Sequence, residues 1–69
     1  MSLAENLKRH RTNLGLTQFE LSELCDVSYT QIQRYEQGRS EPRKATTIRL
    51  AMVFGLTVEQ LKASQVEAA

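Results

Sequence analysis

Residues 17–37 read TQFELSELCDVSYTQIQRYEQ, and this stretch decides the fold. It starts on Thr17 with Glu20 three residues on, and restarts on Ser28 with Gln31 three residues on. Each pair has the spacing of a capping box, in which two side chains satisfy N–H groups that a first helical turn leaves unpaired. An apolar residue precedes each cap and another follows four residues inside the helix: Leu16 with Leu21, Val27 with Ile32. That is the hydrophobic staple. Asp26 and Val27 alone separate the two helices, too tight a turn for an antiparallel hairpin. The spacing predicts a helix-turn-helix over 17–37, with its second helix at about 28–37.

A helical wheel divides that second helix. Ile32, Tyr35 and Glu36 face inward; Thr30, Gln33, Arg34 and Gln37 face outward, with Tyr29 and Gln31 on the flanks. Every outward side chain can hydrogen-bond and none is acidic. Such a set suits base edges in a major groove. Arg matches guanine O6 and N7, Gln matches adenine N6 and N7, and the Thr methyl can touch thymine. The plainer reading of the same face is a solvated polar surface.

Outward from this stretch the punctuation repeats. Ser2 with Glu5 and Thr57 with Gln60 are further capping boxes, and Leu56 with Leu61 a further staple. Gly15, Gly38 and Gly55 each follow a helical stretch, where a helix stop needs positive φ, and Pro42 breaks the chain before the next helix. The prediction is all-α: five helices at about 2–14, 17–25, 28–37, 44–54 and 57–64. Apolar spacing assigns their inner faces to Leu3, Leu7 and Leu14; Leu21, Leu24 and Cys25; Ile32 and Tyr35; Ile48, Ala51 and Phe54; Val58 and Leu61. Residues 1–64 form one domain in this reading, and the tail at 65–69 frays.

The 69-residue length allows one small core. No apolar run is long enough for a signal peptide or membrane span, so the expectation is a soluble, intracellular protein. One cysteine excludes an internal disulfide, and one cysteine with one histidine falls short of a zinc site. Cys25 reads as a small core hydrophobe and His10, between Arg9 and Arg11, as solvated. No cofactor, metal or small-molecule ligand is expected, and this inventory argues against an enzyme. The net charge is +1, yet residues 28–50 carry +3 and the rest −2, so one end of the molecule is positive.

The wheel also places two charges inside apolar stripes. Arg11 lies about 40° from Leu7 and Glu36 about 40° from Ile32. A charge on a buried face needs a partner, so the two are expected to pair.

Residues 7–61 closely resemble the phage repressor and Cro family of helix-turn-helix proteins, the XRE family. The resemblance rests on Arg11, Leu14-Gly15-Leu16-Thr17-Gln18, Glu20-Leu21, Val27-Ser28, Ile32, Glu36-Gln37-Gly38, Pro42, Leu50-Ala51, and Gly55-Leu56-Thr57 with Leu61. It implies a compact five-helix domain of the lambda-repressor type, no enzymatic activity, and binding of a double-stranded DNA operator as a homodimer. It implies base contacts from Tyr29, Thr30 and Arg34, with Gln31 and Gln33 as further candidates. Phosphate contacts are implied from Gln18 and from the loop carrying Gln37, Arg39, Arg43 and Lys44. The Arg11–Glu36 pair agrees with it. Ser22 and Asp26 depart from the usual small residue and turn glycine. Ser is small, and Asp tolerates the left-handed conformation better than most residues. Leu24 also departs, standing where relatives often have a charge, as does Phe19, which looks exposed in the first turn of the second helix.

The expected function is that of a cytoplasmic transcriptional regulator of bacterial or phage type, a repressor before an activator. The expected dimer surface is the last two helices, around Val53, Phe54, Val58 and the tail. The alternative is a helix-turn-helix module used for protein interaction, such as an antitoxin or coactivator component. The outward face of residues 29–37 discriminates: an interaction module tolerates acids or apolar groups there, and this one has neither.

Overall fold

The computed structural model describes residues 3–62. Among them run five α-helices: α1 (Leu3–Asn13), α2 (Gln18–Cys25), α3 (Tyr29–Glu36), α4 (Lys44–Phe54) and α5 (Val58–Lys62). The expected all-α order holds. α4 keeps its predicted span, while α1, α2 and α3 lose a residue at one or both ends. The Ser2 box, the end of the fifth predicted helix and the tail lie outside the described residues. None of the described helices is long and apolar enough to cross a membrane.

The helix starts follow the capping chemistry. Thr17 Oγ1 accepts the Glu20 N–H at 3.0 Å, and Glu20 Oε1 accepts the Thr17 N–H at 2.8 Å. Thr57 and Gln60 repeat that exchange at 3.0 and 2.9 Å. Ser28 Oγ accepts the Gln31 N–H at 3.1 Å, one half of a box. Four helices stop by one device. The N–H groups of Leu16, Val27, Arg39 and Leu56 bond the carbonyls five residues back, on Arg11, Ser22, Arg34 and Ala51. Each bond closes behind a residue of positive φ, which is glycine at three of the four ends. Gly15 and Gly55, at φ 72° and 71°, have open space where a Cβ would stand, so backbone conformation alone calls for glycine there. The fourth is Asp26 at φ 58°, in the turn between α2 and α3.

α3 packs on α1 and α2, α4 on α2 and α5, and α5 returns to α1. The core is Leu7, Leu21, Cys25, Ile32, Tyr35, Leu50, Ala51 and Leu61. The staple residues Leu16, Val27 and Leu56 pack against it from the rim. Three inward assignments fail: Leu14, Leu24 and Ile48 are exposed. Leu14 lies past the end of α1, already in the turn that Gly15 closes. α2 needs one inward stripe, which Leu21, Ser22 and Cys25 fill, so Leu24 is turned out. α4 buries Thr47, Leu50 and Ala51, a phase that leaves Ile48 outside. His10 is half-buried rather than solvated, its ring 5.5 Å from that of Phe54.

Asn6 is fully buried, which periodicity does not foresee. Its Nδ2 donates to the Leu61 carbonyl at 2.9 Å and the Lys62 carbonyl at 3.3 Å. Asn6 thus ties α1 to the carbonyls of the last two described residues of α5.

Candidate nucleic-acid interface

Ile32 and Tyr35 are buried, and this anchors α3 by its inner face. The rotation of the helix then follows. Tyr29, Thr30, Gln31, Arg34 and Gln37 are exposed, and Gln33 is half-buried beside them. All five residues expected to meet bases therefore stand on one two-turn helix. No acid shares their face: Glu36, the one carboxylate of α3, is turned in and covered.

Glu36 is held by three donors. Arg11 Nε reaches Oε2 at 2.6 Å, Arg11 Nη2 reaches Oε1 at 3.1 Å, and Gln18 Nε2 reaches Oε1 at 3.1 Å. Arg11 Nη1 donates in addition to the Leu16 carbonyl at 2.7 Å. The expected ion pair is thus present, with the two side chains 12% and 3% exposed. It also brings Gln18, at the start of α2, against the end of α3. The Gln18 carboxamide keeps one N–H and its oxygen beyond that bond.

The remaining phosphate candidates follow α3. Gln37 closes it, and the Arg39 N–H donates to the Arg34 carbonyl at 3.0 Å, tying the loop to the helix. Arg43 is the N-cap of α4 and makes no side-chain capping bond; Lys44 is the first helical residue. Both are exposed. Buried Thr47 pins this start: its Oγ1 donates to the Arg43 carbonyl at 2.9 Å and the Pro42 carbonyl at 3.4 Å. A helix N-terminus flanked by cations attracts anions through its free N–H groups and its dipole. Sequence reasoning misses Thr47, because a hydroxyl on an inner face looks like an error of phase until its carbonyl partners are known.

A second feature sits at the other end of α3. The exposed ring of Phe19 meets that of Tyr29, with centroids 6.3 Å apart and planes at 66°. Gln33 Nε2 donates to Tyr29 Oη at 3.1 Å.

Two short helices around a tight turn, the second anchored inward and polar outward, define a helix-turn-helix domain. The chain belongs to the helix-turn-helix family, whose model matches residues 7–61. This is a family of DNA-binding transcription regulators of the XRE, lambda-repressor-like type. The HTH-type transcriptional activator BcrR of Enterococcus faecalis is 33% identical over 61 residues, which are 88% of this chain and 30% of that protein. The chain therefore spans less than a third of that relative's length. A transcriptional regulator from Listeria innocua superposes with a TM-score of 0.81 at 33% identity, over 88% of this chain and 57% of that one. The P22 c2 repressor, crystallised with a synthetic operator, superposes with a TM-score of 0.86 over 91% of this chain and 96% of that one. At 21% identity, that likeness is one of fold.

Proposed function

We propose that this chain binds double-stranded DNA sequence-specifically, with α3 in the major groove, and acts as a transcriptional repressor. One observation carries the reading: the exposed face of α3 is wholly hydrogen-bonding and free of acid, while its opposite face is locked into the core. Tyr29, Thr30, Gln31, Gln33 and Arg34 meet base edges; Gln18, Gln37, Arg39, Arg43 and Lys44 meet phosphates. Repression is favoured over activation because occupying an operator excludes other proteins by itself, whereas activation needs a further contact. No cofactor or small-molecule ligand enters this reading. The protein acts where bacterial or phage DNA lies, in the cytoplasm.

The functional unit is a homodimer on DNA, since a single two-turn helix touches few bases. Val53, Phe54 and Val58 are half-buried against the core, so the apolar groups that α4 leaves over for a second copy are Ile48 and Met52. Selection of bound duplexes from a random pool tests the proposal. The expected product is a symmetric site with half-sites about 10 bp apart, or a multiple of that. Recovery of no common sequence overturns it.

A further inference from the structure

Phe19 is 56% exposed and Tyr29 44%, yet the two rings meet edge to face across the junction of α2 and α3. That geometry matches the positive edge of one ring to the negative face of the other and holds the phenol in place. One turn along, the Gln33 carboxamide donates to that phenol's oxygen. A free carboxamide has two N–H donors and an oxygen acceptor, and it rotates to present any combination. It meets adenine with one N–H on N7 and its oxygen on the N6 amine. It meets guanine, which offers acceptors at both N7 and O6, with its N–H groups. The Tyr29 hydroxyl occupies one N–H and stops the rotation. What remains free is one N–H and one oxygen, which complements adenine and mismatches guanine.

We propose that Tyr29, braced by Phe19, is a positioning residue that holds the Gln33 carboxamide to read adenine over guanine. The inference rests on the reading that α3 meets base edges, and it names the base that one of those side chains selects.

The test is duplex selection followed by titration with wild type, Gln33→Ala, Tyr29→Phe and the double variant. Circular dichroism confirms that each is folded. Gln33→Ala identifies the base pair read by Gln33 as the position whose preference it erases. Wild type is expected to prefer adenine there. Tyr29→Phe keeps the ring and its packing on Phe19 but removes the hydroxyl. It is expected to lower the adenine-to-guanine affinity ratio at that position about tenfold, within the range of one bidentate base contact. In the Gln33→Ala background it is expected to change that position no further. The proposal is overturned if Tyr29→Phe keeps the wild-type ratio, if its loss is spread evenly over all positions, if wild type prefers another base there, or if Gln33→Ala erases no preference. A wild type that selects no sequence overturns the base-reading proposal itself. A selected site with a Tyr29→Phe ratio equal to wild type overturns the positioning role alone.

Discussion

Arg11 and Glu36, 25 residues apart in the chain, meet fork to fork, with Nε on Oε2 at 2.6 Å and Nη2 on Oε1 at 3.1 Å. Through Leu16 and Gln18 the same cluster also grips the α1–α2 turn and the start of α2. It therefore fixes the end of α3 against the two elements beneath it. Desolvation of a covered pair offsets much of its attraction, but removing one partner strands the other charge.

The first prediction follows from that asymmetry. Arg11→Met and Glu36→Leu should each destabilise the fold by about 3 kcal/mol, while the double substitution should cost less than either effect doubled. Urea denaturation of the four proteins gives the coupling energy. Additive losses would contradict the pairing.

The second prediction concerns Asn6, which spans from α1 to the last carbonyls of α5. Asn6→Ala leaves those carbonyls without this donor and should cost about 1–3 kcal/mol. The signature is regional: amide exchange in α5 should quicken more than in α3. Equal acceleration in both helices would mean that Asn6 stabilises the fold without holding α5.

These two links show what the sequence makes legible. Thr17 with Glu20, and Thr57 with Gln60, mark helix starts because capping is local chemistry within four residues. Arg11 and Glu36 are visible because each puts a full charge inside an apolar stripe. Asn6 and Thr47 are not, since a small polar residue carries no sign of which distant or neighbouring carbonyl will accept its hydrogen bond. The phase of α4 escapes the sequence for a related reason. Ile48, Leu50, Ala51, Met52, Val53 and Phe54 surround the helix with apolar groups, so spacing finds Ala51, but only packing against α2 and α5 brings Leu50 in and turns Ile48 out. At the candidate site the outward face of α3 is legible, because its polar and apolar residues separate cleanly. The Tyr29–Gln33 bond is not, since it depends on side-chain rotamers.

A third prediction is a pH dependence. Burial raises the Cys25 thiol to about 11, against a smaller opposing pull from the Arg49 charge. The folded state thus holds this proton more tightly than the unfolded chain, whose thiol titrates near 9.0. The corresponding stability is complete below about pH 9 and is lost as pH rises through about 11. Cys25→Ala should be less stable than wild type at pH 8, from the cavity it leaves, and the gap should narrow toward pH 11. A gap independent of pH would contradict a protonated, buried thiol.

The division of labour between α3 and the start of α4 is the central claim, and a salt titration on matched and single-mismatch duplexes tests it most directly. Phosphates carry charge without sequence, whereas base edges carry the sequence. Arg34→Ala should cost about 1–3 kcal/mol per half-site and relax preference at one base-pair position. Lys44→Ala and Arg43→Ala should weaken binding to every duplex about equally. Each should also flatten the slope of log affinity against log salt by about one unit for every phosphate no longer neutralised. If Arg34→Ala instead lowered affinity uniformly, with preference unchanged at every base pair, Arg34 would be a phosphate ligand and α3 would not be reading the sequence through it.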